Sequence, residues 1–177
     1  MSKLKLCPYS RRFAAIFNRE KELISSVLGK CEIHHIGSTA VPELGGKGIV
    51  DIMIALDSWK GERKIVERLR NVGFRHIHPK EGGQIFLSRK PQTNREDTHL
   101  HVVKKETRTY KEYLAFRDYL KAHREEAKGY MNLKRLWCKQ AKGVRTCYTT
   151  LKGCHIDIVL KKCRQQECVQ EHSNTTA

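Results

Sequence analysis

No uncharged apolar run in this 177-residue chain approaches the ~20 residues that a membrane-spanning helix needs. A helical membrane protein is excluded on that ground. No Cys-x-x-Cys pair occurs among the seven cysteines (Cys7, Cys31, Cys138, Cys147, Cys154, Cys163 and Cys168). The odd count and the spacing argue against a disulfide framework and against a tetrathiolate zinc site. No hydrophobic signal segment opens the chain, because Lys3, Lys5, Arg11 and Arg12 interrupt it. The expected setting is the reducing cytoplasm, with free thiols. Cys147 and Cys154 are seven apart and share a helix face, where buried, small apolar roles are expected. No internal repeat is visible, and the aromatic-basic interleaving of common RNA modules is missing.

Acid is scarce. Asp and Glu total 19 against 35 Lys and Arg, which leaves a formal charge of +16. Residues 1–100 carry 18 basic and 11 acidic groups, and residues 101–177 carry 17 and 8, so the excess is spread along the chain. A spread excess favours encounter with phosphate-bearing ligands, small or polymeric, and reads no sequence. Most of these lysines are expected to be solvated helix-surface residues.

Apolar residues recur at helical spacing over 9–28, with Ser10 as a cap and Gly29 as a stop. Residues 32–36 read as a short strand ending at Gly37. IVDIMIAL (49–56) reads as a buried strand with one carboxylate in its middle. Residues 60–72 form a helical pattern ended by Gly73. Strands are expected at 74–78, 84–89 and 98–104, the first two joined by a turn at EGG. From about 108 the pattern is helical, with helices near 108–122, 124–141 and 146–165. Tyr130, Leu133, Leu136 and Trp137 form one apolar stripe, and Leu151, Cys154, Ile158 and Val159 another; core roles are expected for both. The layout is α+β with a mixed sheet. One domain is expected over 1–165, with a sheet part at about 9–104 and a helical part at about 108–165. Residues 166–177 are expected to be disordered.

One constellation carries chemistry. Gly37 lets the chain turn sharply after a strand. Ser38 then caps a helix and leaves backbone N–H groups beside its hydroxyl, an arrangement suited to a phosphate. Asp51 on the next strand is placed to face a divalent cation toward that phosphate, and Lys47 adds a mobile charge between them. The structural alternative is a capped helix and an Asp bonded to backbone amides.

The run HHIGSTAVPELGGKGIVDIMI (34–54) resembles the GrpB family, whose domains look like minimal members of the DNA polymerase beta-type nucleotidyltransferase superfamily. THLHVV (98–103), LAFRDYLKAH (114–123), GYMNLK (129–134) and the Tyr148…Lys152 pair are similar to further landmarks in the same order. The resemblance covers about Tyr9 to Cys163. It implies a minimal nucleotidyltransferase-like mixed sheet followed by a helical part. It also implies phosphate or nucleotide contacts from Gly37, Ser38, Thr39, Lys47, Arg117, Lys134 and Lys152, with Ser38 and Asp51 as catalytic candidates. Two departures stand out: Glu43 where the family usually has Gly, and Gly48 where it usually has Pro. A changed loop beside Lys47 and an added carboxylate near the phosphate site are expected.

The wider superfamily uses two carboxylates two apart on a strand and a third on a neighbouring strand to hold two metal ions. Asp51 fills the first place here, and Met53 falls on the second, where it cannot ligate a hard cation. His99 and His101 share one face of their strand. If that strand neighbours 49–56, as the resemblance implies, Asp51, His99 and His101 converge as a facial ligand set for a transition metal or as groups orienting a phosphate. Only one of His34 and His35 can face such a site. The expected cofactor is a divalent metal, magnesium or manganese, with zinc as the option the histidines add. Arg117 is expected either to clamp a phosphate or to lock its helix to the sheet, and Asp118 to serve structure. Three functions follow: nucleotidyl transfer, an inactive nucleotide- or phosphate-binding domain, and a basic nucleic-acid-associated protein.

Overall fold

The structure is a computed structural model that describes residues 5–81, 83–90, 97–142 and 144–175. Helix α1 (Arg12–Leu28) turns Phe13, Ile16 and Ile24 inward. The Ser10 hydroxyl accepts the Arg12 N–H at 3.2 Å, and Gly29, at φ 77°, ends the helix. Strands β1 (Glu32–Ile36) and β2 (Val50–Leu56) follow, then α2 (Glu62–Asn71), β3 (Arg75–Glu81), β4 (Gln84–Arg89) and β5 (Thr98–Lys104). Helices α3 (Arg108–Ala122), α4 (Arg124–Gln140) and α5 (Arg145–Thr175) complete the chain.

The five strands form one mixed sheet in the order β1-β2-β5-β4-β3. Only β2 and β5 run parallel; the other pairs are antiparallel. Alternation sends Val50, Ile52, Ile54, Leu100, Val102, Ile85 and Leu87 to the face covered by α1 and α2. The opposite face carries Ile36, Met53 and Val103, on which α3 lays Tyr110, Tyr113 and Leu114. A second apolar cluster joins α3, α4 and α5 around Phe116, Tyr130, Trp137, Tyr148 and Val159. The α+β layout with a mixed sheet expected from the sequence is the one observed. Among the described residues, no helix is long and apolar enough to cross a membrane.

Three expectations are corrected. Helix α5 runs to Thr175, past the limit near 165 expected for the last helix, consistent with a run of straight-chain Gln and Glu that favours helix; residues 176–177 lie outside the described residues. Cys147 and Cys154 are exposed, because the inward stripe of α5 runs through Tyr148, Val159 and Cys163 instead. Leu136 and Ile158 are likewise exposed, at 48% and 52%.

Candidate phosphate-binding site

Strand β1 ends at Gly37, at φ 69° and ψ −166°. A Cβ on Gly37 would stand 2.6 Å from Asp51 Oδ2, so only glycine lets the turn and the carboxylate approach this closely. Ser38–Ala40 form a single 3-10 turn, closed by Ala40 N–H to Gly37 O and Val41 N–H to Ser38 O, both at 3.3 Å. The expectation that Ser38 caps a helix is corrected: Gly37 holds the cap position, and Ser38 is the first residue of the 3-10 turn. Val41 is extended ahead of Pro42, and the residue before a proline disfavours helix. Ser38 and Thr39 N–H make no hydrogen bond among the described residues, so the turn keeps its anion-binding donors without a helix dipole behind them.

Thr39 is buried and fastens the turn. Its hydroxyl donates to Ile49 O (3.3 Å) and accepts from His35 Nε2 (3.0 Å). Burial lowers the His35 pKa to about 4, which keeps the ring neutral, and Phe17 stacks on it at 4.8 Å. His35 therefore lies on the α1 side of the sheet. His34 lies on the Asp51 side, yet it pairs with Met53 and bonds Glu32 at 2.5 Å, away from the turn.

The parallel register sets His99 beside Asp51 and His101 beside Met53. His99 Nδ1 is 3.3 Å from Asp51 Oδ1, and His101 Nε2 is 3.6 Å from the same oxygen. The convergence expected of these three residues is present. Burial opposes the Asp51 charge, but the bonds from His101 and His99 outweigh it and hold the carboxyl well below the usual range. His101 Nδ1 lies 3.1 Å from Gln84 Oε1 and 3.0 Å from the Tyr113 hydroxyl, which donates to Gln84 Oε1 at 2.8 Å. Both histidines close on one carboxylate oxygen, and among the described residues no group of three His, Cys, Asp or Glu has the arrangement of a metal centre. Met53 is fully buried against Ile36 and Val103. The residues present therefore do not fit a two-ion cluster.

Lys134 is 1% exposed. Its ammonium donates to Ser38 Oγ at 3.1 Å and to Gly45 O, and it stands 4.7 Å from the Tyr130 ring centroid. No carboxylate pairs with it among the described residues. Burial, reinforced by the charge of Lys152, lowers its pKa to about 7. Lys152 is half-buried, and its field reaches both Lys134 and Asp51. Lys47 Nζ lies 4.5 Å from the Tyr148 ring centroid.

Arg117 bonds the acid beside it and reaches across to the sheet. Nε and Nη2 donate to the two Asp118 oxygens at 2.8 Å, and Nη1 donates to His35 O at 3.2 Å. Glu43 occupies φ 63°, where glycine would be relaxed, and Gly48 takes φ 75°, which proline cannot. The Glu43 carboxylate turns away from Ser38 and meets Arg124 at 2.6 and 2.8 Å. The expected added carboxylate is thus neutralised at the surface.

Gln84 and Tyr113 belong to the site and were not expected from sequence; one strand residue and one aromatic on a helix carry no signal until the strands pair. The burial of Lys134 did have a signal. It continues the apolar stripe Ala127, Tyr130, Trp137 and Ala141 at spacings of three and four.

The GrpB protein family model matches residues 3–162. The chain belongs to the GrpB family. It is 30% identical to the glutamate-rich protein GrpB of Alkalihalophilus pseudofirmus over 89% of this chain and 94% of that one. It is 31% identical to a UPF0157 protein of Streptomyces coelicolor over 88% and 80%. The crystal structure of the conserved protein GrpB from Enterococcus faecalis superimposes with a TM-score of 0.82 at 22% identity, covering 92% of this chain and 99% of that one. The Cid1 poly(U) polymerase bound to Mg 3′-dATP superimposes with a TM-score of 0.57 at 13% identity, over 81% of this chain and 49% of the polymerase. At that identity the likeness concerns fold alone: this GrpB protein spans about half of a nucleotidyltransferase-like chain.

Proposed function

We propose that this GrpB protein binds a nucleotide, or another phosphate-bearing ligand, at the Gly37–Ser38 turn. The observation that carries the reading is Lys134, a buried ammonium directly behind Ser38 with no carboxylate partner among the described residues. A buried, unpaired charge is expensive, and a phosphate at the turn supplies the counter-charge. Lys134 occupies a lone pair of Ser38 Oγ, which frees the hydroxyl proton to point outward. The ligand phosphate then accepts from that hydroxyl and from the Ser38 and Thr39 N–H groups. Lys152 and Lys47 add positive field around it. A magnesium or manganese ion arriving with the ligand has one protein carboxylate to meet, Asp51. Nucleotidyl transfer is the second reading, favoured by the position of Asp51 against the turn and by the fold.

Calorimetry with ATP, GTP, CTP, UTP and pyrophosphate, each with magnesium, with manganese and with chelator, tests the proposal. Binding by at least one ligand is expected, weakened at least about tenfold in Ser38→Ala and in Lys134→Met, or about 1.4 kcal/mol. Circular dichroism checks that both variants fold. Equal affinity in the two folded variants, or no binding by any ligand, sinks the proposal. Loss of binding in Asp51→Ala only when metal is present identifies the ion's ligand. Release of pyrophosphate with a chosen acceptor separates transfer from binding.

A further inference from the structure

At the far end of β2 from Asp51 lies a cavity of about 510 Å³. Five residue steps along the strand separate it from the turn, roughly 16 Å. Its volume lies within the range of about 300–1,000 Å³ typical of small-molecule sites. Leu28, Leu56 and Ile65, where α1, β2 and α2 meet, supply its apolar wall. Cys31 adds a half-buried thiol, which burial keeps protonated and unreactive.

The charges around this wall are arranged unequally. Both carboxylates of the cavity, Glu32 and Asp57, reach Lys105, and Glu32 also bonds His34 at 2.5 Å. Lys105 Nζ lies 3.1 Å from Glu32 Oε2 and 2.8 Å from Asp57 Oδ1. Glu32 also accepts from the Tyr110 hydroxyl at 2.8 Å. Lys30 and Arg68 complete the rim, and neither makes an ion pair among the described residues. Two acids against three bases leave the cavity with one positive charge in excess. A guanidinium and an ammonium lining the same cavity suit a single carboxylate, which the planar fork can grip with two bonds.

We infer that this cavity is a second ligand site, one that takes a small organic monocarboxylate with an apolar body. The carboxylate lies between Lys30 and Arg68, and the body lies on Leu28, Leu56 and Ile65. This site does not depend on the phosphate reading, because it shares no residue with the Gly37–Ser38 turn.

The probe is 4-phenylbutyrate, titrated into the full 15N-labelled chain while amide shifts are followed by NMR. Saturable shifts are expected at residues 28–31 and 65–68, with a Kd of about 1 mM. The uncharged analogue 4-phenylbutanamide, the double variant Lys30→Glu/Arg68→Glu and the cavity-filling variant Ile65→Trp should each weaken binding at least about tenfold. Ser38→Ala should leave it unchanged. The amide spectrum of each variant reports whether it is folded. No saturable shift at those residues, or equal binding of the acid and the amide, overturns the inference. So does undiminished binding in the folded charge-reversed variant.

Discussion

At the scale of single residues, Lys134 governs how this protein responds to pH. Its ordinary value is 10.5, and the folded chain lowers it to about 7. Between those values the unfolded chain holds a proton that the folded chain has lost, so stability rises with pH across that window. Urea denaturation at pH 6, 7.5 and 9 should show the rise, up to roughly 3 kcal/mol between the first and the last. Lys134→Met should flatten it. A bound phosphate restores the proton, so ligand affinity should fall as pH climbs above about 7. The Gly37, Ser38 and Asp51 constellation was legible in the sequence, because a turn glycine and an isolated acid in an apolar strand are each unusual. The lysine was legible only as a family landmark. Composition treats every lysine as solvated, and only the α4 stripe distinguishes this one.

At the scale of elements, two side chains bond α3 to β1: Tyr110 through its hydroxyl to Glu32, and Arg117 through its guanidinium. Arg117 holds Asp118 with two bonds and the carbonyl of His35 with a third, just before the turn begins. Arg117→Met should lower stability by about 1–3 kcal/mol in urea titration, by releasing the carbonyl from its charged donor. Asp118→Asn should cost less, because that carboxylate is 55% exposed. Strand and helix limits were largely legible from apolar spacing and from glycine stops. The 3-10 turn was not, because its length is decided by Pro42, four residues beyond Ser38. Nor was the buried face of α5, where apolar residues occur on more than one side and packing against α3 and α4 chooses among them.

At the scale of the whole molecule, the +16 charge acts at long range. Polyanions should adhere to this protein with affinity that falls steeply with salt. Filter binding of a mixed-sequence RNA at about 50 and 200 mM salt should show that loss equally in wild type, Ser38→Ala and Lys134→Met. An RNA affinity that fell specifically in the two variants would place the polymer at the turn and favour the nucleic-acid reading. Most of the described basic side chains are exposed lysines and arginines, and only a few stand near the turn.

The parallel pairing of β2 with β5 has a consequence for synthesis and folding. β1 and β2 can pair early, yet Asp51 meets His99 only after β5 has emerged and inserted between β2 and β4. Contacts this distant in sequence form slowly, because a long loop must close before they are rewarded. A nascent chain on the ribosome thus carries the turn and its acid well before it carries a finished site, and truncated translation products would have the motif without the histidines that hold its carboxylate.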